Sequence, residues 1–133
     1  MDLPPISPLL FYRDPKAALH FLERAFGFET RLIVEVDGGG VMHSEGVFEG
    51  GVVIVVGPPS HQAVSPLDIE GRVTGHVHVQ LRSGIDELCE MARAAGATID
   101  REPEDQPYGD RVFTCHDPEG HSWSFGQTLG ASS

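Results

Sequence analysis

Gln106-Pro-Tyr-Gly-Asp-Arg-Val-Phe-Thr-Cys-His-Asp-Pro-Glu-Gly-His-Ser-Trp-Ser-Phe125 decides how the chain folds. Inside it, Asp117-Pro118-Glu119-Gly120 places Asp first, Pro second and Gly fourth, the signature of a type I turn. Strand-forming residues flank the turn, Arg111 to His116 before it and His121 to Phe125 after it, so the stretch predicts a β-hairpin. Pairing Asp117 with Gly120 sets Phe113 opposite Ser124 and Cys115 opposite Ser122 on one face. Val112 then meets Phe125, and Thr114 meets Trp123, on the other. The second face is apolar and predicts contact with a helix; the first is mixed and predicts a border with a cavity. Type I turns often carry a bulge, and a shift of one residue exchanges the faces.

Before the hairpin the same elements occur twice. Ile6 to Tyr12 predicts a strand, and Asp14-Pro15 opens a helix with a capping side chain and the residue favoured at the first helical position. Ala18, Leu19, Leu22, Ala25 and Phe26 form its apolar stripe, and Gly27 ends it. Strands follow at Glu29 to Val36, Val41 to Phe48 and Val52 to Val56, separated by the turns Asp37-Gly-Gly-Gly40 and Glu49-Gly50-Gly51. The connector from Gly57 to Gly75 is rich in Pro, Ser and Gly. After it comes a strand at His76 to Leu81, then a helix capped by Ser83 with stripe Ile85, Leu88, Met91, Ala92 and Ala95 and stop Gly96. A strand at Thr98 to Glu102 leads into a loop through Gly109.

Leu19 and Leu88, Leu22 and Met91, Arg24 and Arg93, and Gly27 and Gly96 all stand 69 residues apart, and Glu49-Gly50 and Glu119-Gly120 stand 70 apart. A period this long, present twice, predicts two copies of one βαβββ unit. We expect a single α+β domain of mixed sheets, with modules at about 5–57 and 76–127 joined by a linker at 58–75 and a groove enclosed between the sheets.

The 133 residues suffice for a core without staples, and 40% hydrophobic and 22% charged residues are ordinary for a globular domain. A net charge of −11 argues against nucleic acid or an anionic membrane as partner and permits cationic ligands. The start, Met-Asp-Leu-Pro-Pro, lacks the basic and apolar regions of a signal peptide, which gives a cytoplasmic expectation. Cys89 and Cys115 lack CxxC spacing and are expected as reduced structural thiols. Arginine in excess of lysine, with abundant Gly and Ala, suggests a bacterial source of high GC content.

Arg13-Asp14 with Phe21-Leu22 and Phe26-Gly27-Phe28, the helix exit Ala94-Ala95-Gly96-Ala97, and Asp117-Pro-Glu-Gly-His-Ser-Trp-Ser-Phe125 resemble the vicinal oxygen chelate superfamily, which includes glyoxalase I, bleomycin-resistance proteins and extradiol dioxygenases. The resemblance runs from about Ile6 to Gln127. For enzymes of that group it implies a divalent ion held by residues on the first and last strands of each unit, His or Gln first and Glu last. In this chain those positions fall on His76 and Ser124, and on their repeat equivalents Ser7 and Ile54, so one ligand of four remains. Serine and isoleucine do not replace a carboxylate on such a cation.

Two uses of the groove follow. In the first, the protein binds a small molecule, cationic or planar and antibiotic-like, without catalysis and without a cofactor. This is the use implied by the bleomycin-resistance branch, whose members lack metal ligands and bind the drug between two subunits. A homodimer is then expected, with Tyr108 on the Asp105-Gln-Pro-Tyr-Gly-Asp110 loop as the stacking contact and Phe113, His43, Glu45, His76, His78 and Ser124 as further lining. Here Glu45 faces the vacant position because Phe48 pairs with Gly51, which puts Glu45 opposite Ile54, and alternation adds His43, His78 and Gln80 to the same faces. In the second, His76, His43, Glu45 and His78 hold a displaced Zn, Ni, Mn or Fe ion and the protein is a lyase, isomerase or dioxygenase. Trp123 is expected in the core, His20 on the polar side of its helix, and His61 and His116 at the surface. No G-x-S-x-G turn or phosphate-cradling loop is present.

Overall fold

The computed structural model describes residues 3–57 and 63–130, so His61 lies outside the described residues. The elements run β1 (Leu9–Phe11), α1 (Pro15–Phe26), β2 (Glu29–Glu35), β3 (Val41–Phe48), β4 (Gly51–Val56), a short 3-10 helix (Pro66–Ile69), β5 (His76–Leu81), α2 (Ile85–Ala95), β6 (Thr98–Asp105), β7 (Asp110–His116) and β8 (Ser122–Thr128). Two four-stranded sheets have matching orders, β1-β4-β3-β2 and β5-β8-β7-β6, each with one parallel pair at β1/β4 or β5/β8. The sequence repeat is therefore a structural one, and the fold is the α+β pair of βαβββ modules expected.

Local chemistry explains most boundaries. Asp14 accepts a hydrogen bond from the Ala17 amide and Pro15 opens α1, while Gly27 closes it in the left-handed region. The Ser83 cap expected for α2 does not form. Gly84 holds the N-cap position, and the Gln127 side-chain oxygen accepts from the Ile85 amide instead at 3.0 Å. Met91, expected in the stripe, is exposed; Ile85, Cys89 and Ala92 are the buried face. The first strand is shorter than expected and β6 longer.

The final hairpin carries the correction that matters for function. Phe113 pairs with Phe125, Thr114 with Ser124, Cys115 with Trp123 and His116 with Ser122, one residue away from the register expected from pairing Asp117 with Gly120. Asp117 instead accepts from the Gly120 amide at 2.8 Å and donates its own amide to the His121 carbonyl at 2.9 Å. Gly120, at φ 102°, is thus an extra residue in the loop, a bulge that only glycine adopts without strain. The slip exchanges the faces of β7: Phe113 and Cys115 turn inward to join Trp123 and Phe125, and Val112 and Thr114 turn outward beside Ser124. Phe113, at 0% exposure, is a core residue and not a ligand contact.

One core serves both modules. Phe26 of α1 lies 5.1 Å from Trp123 and 4.8 Å from Phe125, ring centre to ring centre, and α1 packs on α2. Neither unit buries its helix alone, so the duplicated halves fold as one body. Burial pushes the Cys89 thiol up to about 11 and the Cys115 thiol up to about 12, and both are free. No helix among the described residues is long and apolar enough to cross a membrane.

Candidate functional site

Each sheet turns one face away from the helices. On the second sheet, His76, His78, Val112, Thr114 and Ser124 form the floor of a cavity of about 390 Å³ whose rim carries Arg101, Glu102, Glu104, Gln106 and Tyr108. Tyr108 is 72% exposed on its Pro/Gly loop, with its ring free to meet a ligand. Of the residues named from sequence, His76, His78, Tyr108 and Ser124 gather here. His43 and Glu45 lie on the first sheet, away from this cavity, and Phe113 lies beneath the floor in the core.

Hydrogen bonds order the floor. His78 Nδ1 stands 2.6 Å from Ser124 Oγ, its Nε2 stands 2.8 Å from Gln80 Oε1, and the Gln80 amide nitrogen reaches Asp110 at 3.2 Å and Thr128 at 3.3 Å. Behind the rim, Arg93 of α2 binds the Glu102 carboxylate at 2.6 Å and holds its pKa down. Thr114 and Arg101 also line the cavity, and Gln80 and Asp110 stand behind His78 in its hydrogen-bond chain. Gln80 is placed by strand alternation, Thr114 only by the bulged register, and Asp110 only by the tertiary fold.

The first sheet carries a different cluster. Glu45 sits opposite Ile54, as the Phe48–Gly51 pairing predicts. Its carboxylate accepts from Arg31 Nε at 2.7 Å and lies 2.6 Å from His43 Nε2. Arg31 Nη2 touches the same carboxylate, yet it is buried without a well-aligned hydrogen bond. The His43 hydrogen bond, then Arg31, pull the Glu45 carboxyl below its ordinary range against the opposing effect of burial. A group with a lowered folded-state pKa stabilises the fold above its unfolded value and loses that contribution as pH falls through the folded one. Glu45→Gln should therefore be less stable than the parent in urea melts at about pH 7, with the gap narrowing as pH falls below the ordinary glutamate value of about 4.3 and closing once Glu45 is protonated in the folded state too. A gap that persists unchanged in acid contradicts this.

A resident divalent ion does not fit these residues. Both ring nitrogens of His78 are engaged, His43 and Arg31 already occupy Glu45, and Ser124 and Ile54 stand where carboxylates are needed. Among the described residues, the one group whose donor atoms converge at metal-binding distance is Cys89, Glu90 and Glu102. That group is crossed by Arg93, which reaches all three.

Comparison with known proteins agrees with this architecture. An uncharacterised protein of Mycobacterium tuberculosis is 31% identical over 131 residues, covering 95% of this chain and 75% of the relative. The crystal structure of TioX from Micromonospora sp. ML1 is 32% identical, covers 98% of this chain and 100% of TioX, and superposes with a TM-score of 0.73. FosX of Listeria monocytogenes, a fosfomycin resistance protein, shares the fold at a TM-score of 0.70 with 16% identity, covering 98% of this chain and 97% of FosX. With the two βαβββ modules, the paired sheets and a match across residues 6–125, the chain belongs to the Glyoxalase/Bleomycin resistance protein/Dioxygenase superfamily.

Proposed function

We propose that the cup on the second sheet binds a small, flat organic cation, with Tyr108 stacking on it and no metal taking part. The observation that carries this reading is Tyr108 itself: an exposed ring on a Pro/Gly loop above a 390 Å³ cavity, whose rim carries Glu104 paired with Arg101 while Glu102 is held by Arg93. The charge of −11 adds a long-range attraction for cations. A homodimer accompanies this reading: Leu32, Ile33, Val34, Val36 and Met42 are exposed apolar side chains on or beside β2 and β3, and covering them with a second copy removes that surface from water.

Titration calorimetry with ethidium and with the flat anion 1-anilinonaphthalene-8-sulfonate tests the reading. Ethidium should bind at least about ten-fold tighter than the anion. Tyr108→Ala should weaken ethidium by roughly ten-fold, the value of one stacked cation–π contact of about 1 kcal/mol or a little more. Equal affinity for both dyes, or an unchanged ethidium affinity in the variant, contradicts it. Light scattering at the same concentrations should report twice the chain mass.

A further inference from the structure

With the His78 ring neutral, the hydrogen-bond chain in the floor of the cup runs in one direction. The Asp110 carboxylate accepts, so the Gln80 group beside it is the NH2, which leaves Gln80 Oε1 facing His78. That oxygen also accepts, so His78 Nε2 carries the hydrogen and the neutral ring has its lone pair on Nδ1. Ser124 Oγ, 2.6 Å from Nδ1, is therefore the donor. A hydroxyl bound to an imidazole nitrogen, with the ring oriented from its far side by a third group, is the arrangement that activates a serine.

Two features show that the arrangement is accommodated by the fold. Gly126 pairs with Gln80, and a Cβ there would lie 2.9 Å from Gln80 Oε1 and 3.1 Å from His78 Cε1, so glycine lets the ring and amide lie against β8. The register also draws Arg101, Thr114, Ser124 and His78 into a single row across the four strands. The same row in the first module is Leu32, Glu45, Ile54 and Leu9. The second copy of the repeat thus holds two hydroxyls, an imidazole and a guanidinium where the first is mostly apolar. Ser124 is 5% exposed, and it borders the cavity.

We propose that Ser124 is a nucleophile, with His78 as its general base, and that the cup transfers acyl groups from esters to water. Ser124 Oγ attacks the ester carbonyl carbon while its proton passes to His78 Nδ1. The resulting oxyanion meets the Thr114 hydroxyl and the Arg101 guanidinium along the row. The bond to the alcohol oxygen breaks, and His78 returns the proton to the departing alcohol, leaving an acyl-Ser124. Water, deprotonated by His78, then cleaves the acyl group as a carboxylic acid and restores the serine hydroxyl. Gln80 acts through His78 and is a positioning residue. The inference takes from the proposed function only that small molecules enter this cup.

The test uses 4-nitrophenyl acetate, following 4-nitrophenolate release and locating acetyl groups by mass spectrometry of acid-quenched protein. The parent should show a burst approaching one equivalent per chain, with the acetyl group on Ser124. Ser124→Ala should lose the burst and about 100-fold in rate, and His78→Phe should do the same. Gly126→Ala, which displaces the ring, should slow acylation without changing the modified residue. Ser124→Cys should keep a burst, which separates loss of the nucleophile from loss of the fold. Acetylation confined to Lys16 or other surface groups, or Ser124 acetylation at the parent rate in His78→Phe, overturns the proposal. Ethidium binding without acylation sinks this inference alone, and acylation without ethidium binding sinks the cation reading alone.

Discussion

Asp117→Ala should lower the unfolding free energy by about 4 kcal/mol and the melting temperature by roughly 15 °C. Asp117 is 2% exposed, and its carboxylate accepts four hydrogen bonds: from Tyr12 Oη at 2.6 Å, Trp123 Nε1 at 3.1 Å, and the amides of Glu119 and His121. Alanine leaves the tyrosine and indole donors buried without an acceptor, and each such donor costs about 1–3 kcal/mol. Burial first, and then the Asp117 charge, raise the Tyr12 pKa well above its ordinary value, so the phenol remains a donor. Tyr12→Phe removes one of the four donors and should cost only about 1 kcal/mol. A loss below about 1 kcal/mol for Asp117→Ala in urea melts contradicts this account.

The same turn joins the modules. Glu119 accepts from the amides of Arg13 and Asp14 at 2.6 and 2.9 Å and from Ser65 Oγ, and His121 Nε2 donates to the Phe11 carbonyl at 2.7 Å. Asp117, Glu119 and His121 therefore fasten the junction of β1 and α1, more than a hundred residues earlier, to the last hairpin. Phe26, Trp123 and Phe125 fill the space beneath that fastening, which keeps the second sheet fixed while its outer face stays open.

Thr114→Trp should abolish ethidium binding, a loss of at least about 100-fold, while moving the melting temperature by only a few degrees. Thr114 lies opposite Ser124 on the outward face of β7, where an indole projects into the cavity instead of the core. His116→Trp serves as the control. It stands two residues further along the same face of β7, at the loop end, where it lines the neighbouring groove with Leu67, Glu70, Pro118 and Gly120, and should leave binding unchanged. Calorimetry showing full affinity in Thr114→Trp contradicts the location of the site.

Much of the fold was legible because its signals are local. Asp14 and Gly27 bound α1, β3 and β5 span the residues that their alternation marks, and the Phe48–Gly51 pairing put Glu45 opposite Ile54. The hairpin register was not legible in full, because one glycine in the left-handed region adds a residue to the loop and reverses the faces of β7. That single slip decided that Phe113 is core and Thr114 is floor. His76 and Ser124 are reached only through the family resemblance, whereas His78 could be named from strand alternation and Tyr108 from its loop. Their separation from His43 and Glu45 could not, since it depends on α1 packing on α2 and on which faces that leaves outward. Asp110, Arg31 and the cross-module role of the Asp117–His121 turn are contacts between distant segments and leave no periodic trace.

Amide chemical-shift mapping of the protein titrated with ethidium tests the central claim most directly. The account predicts perturbations concentrated on His76, His78, Tyr108, Thr114 and Ser124. Shifts concentrated instead on Leu67, Glu70, His116 and Gly120 in the neighbouring groove, or none at saturating dye, would contradict it.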